Sequence, residues 1–189
     1  MLTQRIGQAL TLAVQAHAGQ LRKGTTIPYV AHVMGVSSLA LDFGADEDQA
    51  IAAMLHDVLE DGGPHFAETI EKQFGQRVLR IVQGCTDGVP DASGQKADWH
   101  ERKRAYLAHL ADASDEVLLV SGADKLHNAR AILSDLQTIG PAVWERFSTK
   151  KDGTLWYYRC IADVFTNRRA PIADQLARTV SEIEKVAGV

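Results

Sequence analysis

The sequence predicts an all-α fold in a single domain spanning residues 1–189. Three observations predict it. Apolar residues recur at i, i+3, i+4 spacing along most of the chain. Gly, Pro and small polar residues fall between those periodic segments, where helices start and stop. The 189 residues, 46% hydrophobic and 23% charged, hold no internal repeat, linker or low-complexity stretch, which suits one ordinary domain with its own core.

Ile6, Ala9, Leu10, Ala13, Val14 and His17 keep helical spacing and predict a first helix from about Thr3 to about Gln20. Lys23-Gly24-Thr25-Thr26-Ile27-Pro28 reads as a loop. A second helix starts near Tyr29, carries His32, Val36, Leu39 and Ala40, and ends by Gly44. Asp46 with Gln49 three residues later has the form of a capping box, opening a helix expected to run to about Glu60. Short helices follow over Phe66–Phe74 and Gln76–Gln83, separated by Gly75. Residues 86–98, TDGVPDASGQKAD, form a long polar loop with room for a short β-hairpin, and loops of that length are often functional. A helix from about Asp98 to Leu110 and a long one over 116–137 come next; Val117-Leu118-Leu119-Val120 at its start also reads as a buried strand. A second loop at about 138–152 precedes helices at 153–167 and 171–187.

Bulk properties exclude several functions. A formal net charge of −4 disfavours a nucleic-acid partner. No apolar run reaches the roughly 18 residues needed to span a bilayer, so no membrane role is expected. The N-terminus MLTQRIGQAL lacks the basic-then-apolar form of a signal peptide, and a soluble cytoplasmic protein is expected. Cys85 and Cys160 are far apart and read as core thiols. Positive charge is nevertheless clustered at Arg22-Lys23, Arg102-Lys103-Arg104 and Lys150-Lys151. Local cations on an acidic chain suit a small anionic ligand better than a long polyanion. Either a monomer or a homodimer fits.

The chemistry concentrates in AAMLHDVLEDGGP, residues 52–64. At helical spacing Asp57, Glu60 and Asp61 share one face, where like charges repel and oppose the dipole at a helix C-terminus. A bound cation offsets both penalties. Asp124 lies between Leu118-Leu119-Val120 and Leu126, so it needs a partner if buried. His32, His56, Asp57 and Asp124 together make a nitrogen/oxygen ligand set suited to manganese, iron, magnesium or zinc. With positions left for water, such a set suits metal-assisted hydrolysis. Glu60, one turn from His56, and Asp61 beside it are placed to take a proton from water or to hold it, and the sequence does not decide which of them is the base. Arg22 and Lys23 are the main cations for phosphate; Arg102, Lys103, Lys125 and Arg130 are further ones. His127 reads as a packing residue or one that backs a ligand, and His17 as a packing or loop-anchoring residue.

Three ordered segments, AHAGQLRKGTTIPYVAHVMGV (16–36), AAMLHDVLEDG (52–62) and GADKLHNAR (122–130), resemble the hydrolase domain of the RelA/SpoT homologue superfamily, in its small alarmone hydrolase form. The resemblance covers about residues 5–167. It implies an all-helical HD-domain fold, one manganese ion, and removal of 3′-pyrophosphate from guanosine tetra- or pentaphosphate, with adenosine analogues as a further substrate class. By motif position it assigns His32, His56, Asp57 and Asp124 to the metal, and Glu60 and Asp61 to the attacking water. It assigns Arg22 and Lys23 to the nucleotide, Asn128 to the nucleoside, and, by a looser match, Tyr158 to the ribose and phosphates. Thr25-Thr26-Ile27 enlarges the turn before Pro28, and Gly62-Gly63-Pro64-His65 replaces the usual Thr-rich stretch; both bear on base selectivity. Two other readings share the motifs: an HD phosphohydrolase acting on another nucleotide or a phosphorylated cofactor such as NADPH, and an inactive nucleotide-binding sensor. The intact Glu60-Asp61 pair argues against the sensor.

Overall fold

The computed structural model describes residues 1–87 and 98–189. Among these there is no sheet; an isolated antiparallel bridge joins Leu21 to Pro28 and closes the turn before the second helix. The described α-helices are α1 (Gln4–Ala16), α2 (Val30–Asp42), α3 (Glu47–Leu55), α4 (Phe66–Phe74), α5 (Gln76–Cys85), α6 (Trp99–Asp112), α7 (Asp115–Ile139), α8 (Lys150–Asn167) and α9 (Ala173–Val186). A π-helical turn, Val58–Gly62, follows α3, and a 3₁₀ helix, Gly140–Arg146, follows α7. The all-helical expectation holds. The β-hairpin expected in the 86–98 loop falls on residues 88–97, outside the described residues.

Caps mark the starts that the sequence signals. Thr3 accepts from the Arg5 amide at the head of α1. Asp46 and Gln49 close a complete capping box on α3. Asp98 accepts from the amides of His100 and Glu101 on α6. Gly75 turns the chain between α4 and α5 at φ +91°, a left-handed conformation costly for any side chain with a Cβ.

Helix α7 organises the bundle. It packs against α2, α3, α5, α8 and α9. Val117 to Asp124 are all buried, on every side of the helix. A helix enclosed on all sides is apolar all round. That is why Val117-Leu118-Leu119-Val120 also reads as a strand. At the surface, Arg77 pairs with Asp46, Asp48 and Glu116, and Arg5 pairs with Glu47 and Asp48, tying α1, the head of α3, α5 and α7 together.

One boundary differs in a way that matters. The helix expected to reach Glu60 stops at Leu55. The His56 ring supplies the reason: its Nδ1 donates to the Ala53 carbonyl at 2.8 Å. A side chain that binds a nearby carbonyl competes with the helical ladder. Asp57 then sits at φ −98°, ψ −2°, and the Gly63 amide reaches back five residues to the Val58 carbonyl at 3.1 Å. Val58 and Leu59 anchor this wider turn in the core, leaving Glu60 half-buried and Asp61 exposed. Single π turns of this kind cluster at functional sites. Elsewhere the differences are small: α1 ends at Ala16, and α8 begins at Lys150 because the second loop is partly 3₁₀.

Candidate active site

His32 from α2, His56 after α3 and Asp124 from α7 are all buried, and their ligand atoms lie within 4.8 Å of one another. His32 Nε2 is 3.2 Å from Asp124 Oδ1, and His56 Nε2 is 3.6 Å from the same oxygen. Asp57 stands at the edge of this group, its Oδ2 3.0 Å from His56 Nε2 and 3.8 Å from His32 Nε2. Neither buried Nε2 makes an aligned hydrogen bond despite these neighbours. Buried polar atoms are ordinarily satisfied, so two orphaned imidazole nitrogens facing carboxylates fit a cation at their common centre. The three clustered residues could hold a metal ion, and their nitrogen/oxygen donor set suits a hard or borderline divalent ion.

The protonation pattern agrees. His56 Nδ1 donates to a carbonyl, so a neutral His56 carries its lone pair on Nε2, toward the group. Burial opposes charge on His56, but Asp57 and Asp124 outweigh it and hold its pKa well above the ordinary 6.5. Without a metal, His56 joins Lys125 in offsetting the charge of the two carboxylates. Burial lowers His32, and burial with His32 alongside lowers His127 to about 4, so both are neutral at physiological pH.

Around this centre sit partners the sequence did not reveal. The Tyr29 hydroxyl donates to Asp57 Oδ2. Burial and then the Asp57 charge raise the Tyr29 pKa, keeping the phenol a donor. Gln20 donates to Asp61 Oδ2 at 2.8 Å and is itself held by His17 Nδ1 at 2.8 Å, so His17 acts as a loop anchor. Desolvation, and then the charges of Asp57 and Glu60, raise the Asp61 carboxyl above its ordinary range against the opposing pull of Gln20. Lys125 donates to Asp124 Oδ2 at 2.6 Å, and Asn128 donates to Asp124 Oδ1 at 2.6 Å.

Two cavities adjoin the group. One, of about 280 Å³, is lined by Arg22, Lys23, Tyr29, Asn128, Phe147 and Tyr158 among others. The second, of about 200 Å³, shares Lys23, Asn128, Phe147 and Tyr158 and adds Lys103, Lys125 and Tyr157. The structure therefore brings Arg22, Lys23, Asn128, Tyr158 and Lys103 to one place. Lys103 also lies over the Tyr157 ring and pairs with Asp87, as does Arg102. Arg130 is elsewhere, bonded to Gln175.

A helical bundle that gathers two histidines and an aspartate from three separate elements around one buried point is built like a metal-centre hydrolase domain. The comparisons place it more narrowly. The HD-domain family matches residues 9–154, and the chain belongs to it. The chain is 40% identical over 141 residues to the guanosine-3′,5′-bis(diphosphate) 3′-pyrophosphohydrolase MESH1 of Drosophila melanogaster, a match covering 72% of each. It is 32% identical over 127 residues to a probable GTP pyrophosphokinase of Mycobacterium leprae; that match covers 67% of this chain but 16% of the longer protein. The solved structure of a metazoan SpoT orthologue that hydrolyses ppGpp aligns with a TM-score of 0.77 at 29% identity, covering 96% of this chain and 97% of that one.

Proposed function

We propose that this protein is a manganese-dependent hydrolase that removes pyrophosphate from the 3′ position of guanosine tetra- and pentaphosphate, with adenosine analogues as a further substrate class. The observation that carries the reading is the convergence of His32, His56 and Asp124 beside two cavities lined by Arg22, Lys23, Lys103 and Lys125. The reaction of the MESH1 and SpoT relatives supports the choice of substrate. Residues 1–189 act as one domain on a small nucleotide in the cytoplasm. Among the described residues no helix is long and apolar enough to cross a membrane.

In this reading His32, His56, Asp57 and Asp124 hold the ion, the two carboxylates neutralising its charge. When bound, a divalent ion acidifies water and withdraws charge from a phosphoryl oxygen. Tyr29 fixes Asp57, and Lys125 with Asn128 fixes Asp124. Glu60 and Asp61 handle the attacking water: Glu60 takes its proton, and Asp61, held by Gln20, orients it. Water oxygen bonds to the phosphorus carried by the 3′ oxygen, that P–O bond breaks, and the 3′ oxygen leaves as a hydroxyl, taking up the proton that Glu60 accepted from the water. Arg22, Asn128 and Tyr158 line the nucleoside side, while Lys23, Lys103 and Lys125 receive the pyrophosphate. These cations offset charge that an acidic protein would otherwise repel.

A panel assay tests the substrate. The purified protein is incubated with manganese and bis(diphosphate) nucleotides, ordinary nucleoside triphosphates and NADPH, and the products are resolved. Pyrophosphate release confined to 3′-diphosphorylated nucleotides is the expected result. Release of orthophosphate from NADPH or from triphosphates would favour the broader HD phosphohydrolase, and binding without turnover a sensor.

Metal binding should also release a proton. His56 is protonated in the metal-free protein because its pKa is raised, and a ligating imidazole must be neutral. Apparent affinity is therefore expected to rise with pH, by up to about tenfold per unit below the His56 pKa. Calorimetric titration with manganese at pH 7, in buffers of different ionisation enthalpy, should show close to one proton released. A count near zero would contradict the charged His56.

A further inference from the structure

Arg22 and His32 both meet one ring nitrogen of His127, and the proton positions there follow from donor chemistry. Arg22 Nη1 lies 3.1 Å from His127 Nδ1. A guanidinium can only donate, so His127 Nδ1 carries a lone pair. His32 Nδ1 lies 3.0 Å from that same nitrogen. Two lone pairs cannot bond each other, so His32 Nδ1 carries the proton. The lone pair of neutral His32 is then on Nε2, the atom facing Asp124 Oδ1 at 3.2 Å.

We propose that His127 is a positioning residue, and that Arg22, acting through it, sets the one His32 tautomer able to ligate a metal from this side of the group. Ligating histidines usually give their second N–H to a carboxylate or carbonyl, which can only accept. An imidazole partner is ambivalent, since it donates or accepts according to its own tautomer. Here that ambiguity is removed at one end by Arg22. At the other end the ring fits only because residue 35 is glycine: a Cβ there would lie 2.3 Å from His127 Nε2. Arg22 is itself held by a second contact, Nη2 donating to Asn128 Oδ1 at 3.2 Å, and Asn128 donates onward to Asp124. One arginine lining the nucleoside cavity thus reaches two of the clustered residues, His32 and Asp124, each through a single intermediary. Arg22 consequently does more than attract phosphate: it joins the nucleotide side of the site to the metal side.

The metal half of this inference rests on the metal-ligand reading above; the tautomer half does not. Both are tested on the full chain. Long-range ¹H–¹⁵N correlation spectra of the metal-free protein should show His32 as the Nδ1–H tautomer and His127 as Nε2–H, with His32 losing that single state in Arg22→Ala. Manganese titrations followed by electron paramagnetic resonance should show His127→Ala binding about 10–100-fold more weakly, the scale of partners that orient a ligand. Arg22→Ala should weaken binding too, although removing a cation would by charge alone strengthen it. Arg22→Lys, which keeps a donor, should recover part of the loss, and Gly35→Ala, which displaces the ring, should reproduce it. Circular dichroism confirms that each variant is folded. Wild-type manganese affinity in folded His127→Ala, or His32 found as Nε2–H in the unsubstituted protein, would overturn the proposal. If the unsubstituted protein binds no divalent ion, the metal-ligand reading fails, and the His32 tautomer alone decides the positioning role.

Discussion

Asp124→Asn is expected to abolish divalent-metal binding and to lower pyrophosphate release by about 10³-fold or more, since a catalytic ion supplies several kcal/mol of charge stabilisation and each 1.36 kcal/mol is a factor of ten. Asp124 is the residue on which the group converges: His32 and His56 both face its Oδ1, Asn128 donates to that oxygen, and Lys125 donates to Oδ2. The substitution keeps the shape and removes the charge. It also leaves Lys125, which is mostly buried, without that carboxylate. Breaking a buried ion pair on one side costs about 3 kcal/mol or more. For a chain of this size that corresponds to a fall of roughly 6–12 °C in Tm. Calorimetry of metal binding, a turnover assay and a thermal melt read the three effects separately. A variant that still binds manganese at wild-type affinity would remove Asp124 from the ligand set.

Glu60→Gln should separate metal binding from chemistry. Glu60 lies on the π turn rather than among the clustered residues, so manganese affinity is expected to change little. Turnover should fall by about 10²–10⁴-fold, the range for removing a general base. The contrast with Asp61 sharpens the test. Asp61 is exposed and held in place by Gln20, as suits a group that orients water. Asp61→Asn keeps that geometry and should cost less than Glu60→Gln. Single-turnover rates at saturating metal and substrate decide it: a near-normal rate for Glu60→Gln would transfer the base to Asp61.

The sequence made the bundle and the centre legible for different reasons. Helices were legible from periodicity and, for α3, from the Asp46–Gln49 capping box; the Thr3 and Asp98 caps fall at the helix starts that periodicity gives. Asp124 was legible because an aspartate inside an apolar helix demands a partner. His56-Asp57 was legible as a pair, but its geometry was not. Helical spacing carries no sign that the His56 ring takes the Ala53 carbonyl and ends α3. That break gives Glu60 and Asp61 a turn of their own instead of the last turn of a longer helix. Tyr29 and Gln20 were invisible as partners because they meet Asp57 and Asp61 across 28 and 41 residues of chain. His127 left a faint trace, lying beside Asn128 and three residues beyond Asp124, but its contact with His32 spans 95 residues. Only the packing of α2 against α7 reveals it.

The most direct test is pyrophosphate release from guanosine tetraphosphate by metal-stripped protein, before and after addition of one equivalent of manganese. The account predicts no release before addition, and afterwards equimolar pyrophosphate and a guanosine nucleotide with a free 3′ hydroxyl. Release that is independent of added metal, or orthophosphate with a 3′-monophosphate as the product, would contradict it.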